Sequence, residues 1–161
     1  MIYRLRDFPL LTTHPAWLEF VERACRACGR GPAAVGYLNG LWGNPNVLGL
    51  VGEENAYPVA LFVCELPTPM MLCPMITLAY NEGSKELRAR MFCWLARWVR
   101  AAGHDTVSMI NTSGHTDTVY ERALRPLGTI EGQATLLKVK LRQEGEPGAE
   151  VLTSGGVGLA A

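Results

Sequence analysis

The chain has 161 residues, of which 48% are hydrophobic and 19% are charged, and its 15 basic side chains are balanced by 15 acidic ones. This composition is typical of one globular domain with a substantial core, and it excludes a disordered or fibrous chain. A net charge of zero argues against nucleic-acid binding, which needs several basic residues facing the phosphates. No apolar run reaches the roughly 18 residues that a membrane span requires, so we expect no membrane partner.

The cysteines and the N-terminal segment favour a reducing, cytoplasmic location. The five cysteines are odd in number and mostly lie in apolar runs. The first residues lack the long apolar stretch and the cleavage site of a signal peptide. Cys25 and Cys28 have the spacing of half a zinc site, but no second close pair is present in the sequence. We therefore predict two helix cysteines there and no metal.

The first half of the chain alternates between strand and helix patterns. In chain order we predict a strand, two helices and three strands, at residues 1–11, 14–28, 32–42, 47–51, 57–66 and 70–80. Polar residues 52–55 join the second and third of these strands, which predicts a hairpin.

The strongest pattern is an amphipathic helix over residues 84–102. Ser84 can cap its start through the hydroxyl, and Gly103 can take the left-handed conformation that ends it. A β-branched and apolar run, Thr106–Ile110, follows and predicts a buried strand. The apolar residues that share one face of the helix are Leu87, Met91, Trp94, Leu95, Trp98, Val99 and Ala102.

Two further segments are candidate contacts for a protein partner. The opposite face of the 84–102 helix is basic, with Lys85, Arg88, Arg90, Arg97 and Arg100. A solvated helix face is the simpler explanation of this charge. Residues 142–161 are rich in Gly, Glu, Ser and Pro, which is typical of a flexible tail and offers a second surface for a partner, for a second copy or for a larger assembly. Between this tail and the Thr106–Ile110 strand we predict a helix at 116–124 and a strand at 130–141.

The sequence resembles the GNAT superfamily of acetyl-CoA-dependent N-acetyltransferases in three features. These are the element order β-α-α-β-β-β-α-β-α-β, the pair of segments 84–110 and 116–141, and the Ala-Ala-Gly-His-Asp-Thr-Val run at 101–107. The resemblance implies an α/β fold with a mixed central sheet in residues 1–141, followed by a Gly-rich tail at 142–161. It also implies acetyl-CoA as the acyl donor and an amine as the acceptor.

The resemblance further implies a pyrophosphate loop, patterned Gln/Arg-x-x-Gly-x-Gly/Ala, before the long helix. Its glycines let the backbone N–H groups approach the phosphates. If Gly83 is the first glycine of the pattern, Lys85 stands where the second would be. If the positions are instead counted back from the helix end at Gly103, Glu86 stands at a glycine position. The sequence therefore departs from the pattern. Gly83, Ser84 and Lys85 are either a rebuilt anion site or a plain capped helix start.

The family's general acid is a tyrosine, and its position here is occupied by Leu124. Tyr120 lies one helical turn earlier and is the candidate acid for the departing thiolate. Asn111 is a candidate contact for the pantetheine arm. Glu65 and Glu82 are candidate bases for the incoming amine, and loop His115 is a weaker third candidate.

Because both family motifs are altered, a second hypothesis remains open. The chain is either a divergent acyl-CoA-dependent N-acyltransferase or a GNAT-like scaffold without catalysis, such as a bacteriophage virion or assembly component. An enzyme requires the fourth and fifth strands to part near Gly83. A scaffold predicts that side chains such as Tyr80 or Trp94 fill that space.

Overall fold

The computed structural model describes residues 1–8, 15–29, 34–41, 43–69, 72–110, 122, 124–131 and 136–141. The helices are α1 (Pro15–Ala27), α2 (Ala34–Leu41) and α3 (Lys85–Ala101). The strands are β1 (Ile2–Arg4), β2 (Val47–Glu54), β3 (Tyr57–Glu65), β4 (Met75–Asn81), β5 (Thr106–Ile110), β6 (Gly128–Glu131) and β7 (Leu136–Leu141). They form one mixed sheet in the order β1-β2-β3-β4-β5-β7-β6, in which only β4 and β5 pair in parallel.

The sheet separates two apolar cores. Strand β3 is buried on both faces: Phe62 faces the α3 side and its neighbour Leu61 faces the α1 side. On the α3 side the ring of Phe92 packs 4.6 Å from that of Phe62, measured between centroids. On the α1 side Trp17 and Phe20 are completely or almost completely buried. A central strand covered by helices on both faces is expected to be almost continuously apolar, as β3 is.

The predicted long helix and the strand after it are confirmed. The backbone N–H of Leu87 donates to the hydroxyl of Ser84 at 3.1 Å, and Gly103 has a φ of +85° beyond the helix end. Strand β5 has the predicted bounds. The predicted face is correct at its centre but shifted at its edges, because Trp94 and Trp98 are only partly buried. The fully buried residues of α3 are Leu87, Met91, Phe92, Leu95, Ala96 and Val99.

Two predicted strands differ from the structure. The first, over residues 1–11, ends at Arg4 because the chain turns into a short 3₁₀ helix at Leu5–Asp7. The last, over 130–141, is two antiparallel strands, β6 and β7. The two strands approach so closely that a Cβ on Gly128 would lie 1.8 Å from the carbonyl oxygen of Lys140, and only glycine permits this contact.

The remaining sequence predictions fall partly outside the described residues. Of the predicted 116–124 helix, the structure describes only Arg122 and Leu124, and Leu124 is buried in the α3-side core. The tail at 142–161, and with it the boundary drawn at residue 141, also lies outside them. None of the helices among the described residues is long and apolar enough to cross a membrane.

Candidate functional site

Among the described residues, two pairs join the parallel strands β4 and β5. Met75 pairs with Ser108 and Ile76 with Met109, whereas β4 continues to Asn81. On its other edge β4 contains a bulge, because Cys64 of β3 pairs with Ile76 but Val63 pairs with Leu78. The extra residue is Thr77, directly after the last described pair with β5. A bulge increases the local twist of β4 at this point.

Two side chains, Tyr80 and Trp94, were expected to fill this space in a scaffold. Tyr80 packs on the α1 side of the sheet, with its ring centroid 5.9 Å from that of Phe20. Trp94 is partly buried against the α3-side core. These two residues contribute to the flanking cores. The chain after Ile110 lies outside the described residues, so the parting of β4 and β5 that an enzyme requires stays a prediction.

The loop between β4 and α3 is held by a carboxylate from another part of the chain. The backbone N–H of Ser84 donates to both carboxylate oxygens of Glu54, each at 3.2 Å, and the Ser84 hydroxyl donates to Glu54 Oε1. Glu54 is the last residue of β2 and lies 30 residues away in sequence. A negative charge here is favourable because the helix N-terminus carries partial positive charge. An internal carboxylate thus occupies part of the predicted anion site.

Gly83 is needed for this contact on steric grounds. A Cβ at this position would lie 2.7 Å from Cγ2 of Val59 and 2.9 Å from Oε2 of Glu54. Its φ is not in the left-handed range, so backbone conformation does not demand glycine. The absence of a side chain lets the β2–β3 hairpin pack directly on the loop. This explains Gly83 without a phosphate, although the same open backbone suits one.

Glu82 is bound on the opposite side of the loop. The Arg23 guanidinium donates through Nε to Glu82 Oε1 at 2.9 Å and through Nη2 to Oε2 at 3.2 Å, and the Tyr80 hydroxyl also donates to Oε1. Hydrogen bonding from Arg23 lowers the pKa of the Glu82 carboxyl. The pKa of the Tyr80 hydroxyl is raised to about 12, mainly by burial and secondly by its hydrogen bond to Glu82. A carboxylate with three donors and a lowered pKa is a weaker base than an ordinary glutamate.

The two predicted bases do not share a site. Glu65 pairs with Met75 at the start of β4, whereas Asn81, next to Glu82, pairs with Ala60. Ala60 and Glu65 are five residues apart along β3, which corresponds to about 17 Å. Glu65 lies close to the Thr77 bulge, and Glu82 lies at the Gly83 loop. Lys85 is exposed at the first position of α3. Asn111, His115 and Tyr120 lie outside the described residues, so their roles stay predictions.

Sequence analysis missed both Glu54 and Arg23. Residues 52–55 were predicted as the hairpin turn, but β2 runs through Glu54 and the turn is Asn55-Ala56. Both turn residues have positive φ, 52° and 63°, as a type I′ hairpin requires. Alanine is unusual in that conformation, so the local sequence did not indicate this turn. Nothing local connects Glu54 to Ser84 or Arg23 to Glu82, because both contacts depend on tertiary packing.

The cysteine pair of α1 shows no metal chemistry in the described part of the chain. Cys25 is buried and Cys28 is half-buried, neither forms a disulfide, and the Cys28 thiol donates to the carbonyl oxygen of Ala79 at 3.8 Å. Among the described residues no group of three or more His, Cys, Asp or Glu side chains is placed to hold a metal ion.

Comparison with known structures identifies the fold. An aminoglycoside 6′-acetyltransferase of type Ii matches with a TM-score of 0.63 at 14% identity, over 89% of this chain and 99% of that one. An aminoglycoside 6′-N-acetyltransferase complexed with coenzyme A matches with a TM-score of 0.53 at 11% identity, over 89% and 98%. A Desulfovibrio desulfuricans protein assigned to the GNAT family matches with a TM-score of 0.57 at 12% identity, over 87% and 98%.

These matches confirm the predicted fold: the chain has the mixed α/β fold of GNAT acetyltransferases. No protein-family model matches the sequence, and neither does any curated protein sequence. At identities of 11 to 14% the likeness concerns the fold, and chemistry has to be argued from the site itself.

Proposed function

We propose that this chain is a divergent acyl-CoA-dependent N-acyltransferase that transfers an acetyl group to an amine. The observation that supports it best is that β4 carries a bulge at Thr77 and runs on to Asn81, past its two described pairs with β5 and towards the loop that begins α3. A scaffold has no need of an opening inside its own sheet, since closed pairing satisfies more backbone hydrogen bonds. A thioester substrate needs such a slot to reach the centre of the sheet. One of the structural neighbours is complexed with coenzyme A.

In this proposal the start of α3 holds the pyrophosphate of acetyl-CoA. The N–H groups of Gly83 and Lys85 have no recorded hydrogen bond within the described residues, and the N–H of Ser84 becomes available when Glu54 turns away. The exposed ammonium of Lys85 adds a positive charge beside them. The helix dipole favours an anion at this position.

The acyl transfer requires a base and an acid. The amine nitrogen attacks the thioester carbonyl, loses a proton to the base, and displaces the thiolate, which the acid protonates. Glu65 and Glu82 are the candidate bases, and the hydrogen bonds from Arg23 and Tyr80 make Glu82 a weaker base than an ordinary glutamate. Tyr120 is the candidate acid, and Asn111 the candidate contact for the pantetheine arm.

The test is calorimetric titration with acetyl-CoA. We expect micromolar binding, and a loss of about tenfold or more, about 1.4 kcal/mol, in Lys85→Ala. Arg90→Ala, at an exposed position one and a half turns further along α3, is the matched charge control and should bind like the wild type. An amine screen would follow, with Tyr120→Phe as the catalytic variant. Absence of detectable heat at high ligand concentration would refute the acyltransferase proposal.

A scaffold function is the second candidate, and the Glu54 contact favours it. A carboxylate bound to Ser84 stabilises the helix start without any ligand and repels a phosphate. In such a protein the partner surfaces would be the basic face of α3 and the tail at 142–161, and a phage virion or assembly would be one setting. If neither wild type nor Glu54→Gln binds acetyl-CoA, this candidate takes precedence.

A further inference from the structure

A cavity of about 170 Å³ lies at the edge of the sheet where β1 ends. Strand β1 pairs with β2 only over Leu50 to Gly52, so the first residues of β2 extend past it. The 3₁₀ helix after β1, the end of α2, the loop into β2 and the side chain of Trp98 enclose this space. We call it the edge cavity. It is smaller than the roughly 300 Å³ at which drug-sized pockets begin, so only a small molecule fits.

The charged groups of the edge cavity are all positive. Arg4 and Arg6 line it, and no acidic side chain is among the described lining residues. Asp7 contacts Arg6 at 3.6 Å, but both side chains are about 60% exposed, so the pair is weak and solvent-screened. For Arg4 no ion pair is recorded among the described residues.

The neutral polar groups of the cavity are mainly donors too. The side-chain oxygen of Asn44 already accepts the N–H of Asn46 at 2.9 Å, which leaves its amide nitrogen to donate outward. The indole of Trp98 has one N–H and no acceptor. No hydrogen bond from this N–H is recorded within the described part of the chain.

The edge of β2 contributes a further backbone donor. Met1 and Glu53 exchange two hydrogen bonds across the β1–β2 pair, so odd-numbered residues of β2 direct their N–H and C=O groups towards this edge. Gly49 is therefore oriented towards the edge beyond the end of β1. Its missing side chain lets Leu5 pack closely over the strand, since a Cβ would lie 2.7 Å from that of Leu5.

We propose that the edge cavity binds a small organic anion with an apolar body, and that aromatic monocarboxylates are the class that fits. The arginines and the donors of Asn44 and Trp98 would hold the carboxylate, while Leu41 and Val47 provide apolar walls. The site is separate from the Gly83 loop proposed to hold the pyrophosphate, although the candidate base Glu65 pairs with Val47. Glu54, which contacts the Gly83 loop, and Val47 are at opposite ends of β2, about 23 Å apart along the strand.

Phenylacetate is the probe, and the indole N–H signals of the ¹⁵N-labelled full chain are the measurement. The Trp98 signal is assigned with Trp98→Phe. We expect a saturable shift of this signal with a dissociation constant at or below the millimolar range, and at least fivefold weaker binding in Arg4→Gln. Arg90→Gln removes an exposed arginine outside the cavity and should bind like the wild type.

Two matched probes test the assignment of charge. Phenethylamine has a similar shape with a positive charge, and phenylacetamide is neutral. Both should bind at least tenfold more weakly than phenylacetate. A linear, non-saturating response to phenylacetate, equal binding of phenethylamine, or an unchanged affinity in Arg4→Gln would each overturn the proposal. Because acetyl-CoA is absent from the assay, its outcome does not depend on the acyltransferase proposal.

Discussion

Replacing Glu54 by Gln should strengthen acetyl-CoA binding, because the native carboxylate occupies part of the site that a phosphate would use. Glu54 accepts three hydrogen bonds from the backbone and hydroxyl of Ser84. A phosphate on the neighbouring N–H groups would lie roughly 7 to 8 Å from it. At an effective dielectric constant of about 20, repulsion between unit charges at that separation is about 2 kcal/mol.

Partial exposure of the loop lowers this figure to about 1 to 1.5 kcal/mol, so we expect roughly five- to tenfold tighter binding. The glutamine keeps the size of the side chain and one acceptor oxygen, which limits the structural change. The assay is calorimetric titration of wild type and variant at low and at moderate salt. The gain should shrink as salt rises, because screening weakens charge repulsion.

Glu53→Gln is the matched control. It removes the same charge one residue earlier, where the backbone pairs with Met1 instead of the Gly83 loop. Its acetyl-CoA affinity should equal that of the wild type. Equal affinities of wild type and Glu54→Gln would refute the argument that this carboxylate competes with the ligand. Equal gains in both variants would mean that net charge is responsible, and not the Glu54 contact.

Three further predictions concern stability. Ser84→Ala removes the helix cap and one partner of Glu54, and should lower the free energy of unfolding by about 1 to 2 kcal/mol in a urea titration. Gly83→Ala should lower it by about 1 to 3 kcal/mol, because the new methyl group would lie within 3 Å of the hairpin. Arg23→Gln should lower it by less than about 1 kcal/mol at neutral pH, because the ion pair is half-exposed. The pKa of Glu82 is lowered in the folded state, so this contribution is present above the carboxyl's ordinary pKa and is lost as pH falls through the folded value.

Each of these has an internal check. Ser84→Asp should retain most of the cap and lose stability through repulsion from Glu54, so its defect should diminish at high salt. Gly36→Ala, in α2 where nothing lies within 4 Å of the new Cβ, should be neutral or stabilising. A stability gap between wild type and Arg23→Gln that widens from pH 6 to pH 3 would contradict the sign derived for Glu82.

The sequence by itself determined the elements whose signals are local. The apolar spacing of α3, the Ser84 cap, Gly103 and the apolar run of β5 are contained in a few turns of chain, and the structure has them where they were predicted. The order of elements indicated the fold through its resemblance to the GNAT superfamily, and the structural comparisons support that fold.

Tertiary structure alone decided the site. The Thr77 bulge depends on the register of β3 against β4, which no local pattern specifies. The contacts of Glu54 with Ser84 and of Arg23 with Glu82 join residues 30 and 59 positions apart, and a surface carboxylate in the sequence does not reveal which helix end it will meet. Local periodicity specifies which face of an element is buried, whereas the charges that meet across a loop are set only when the sheet and its helices pack together.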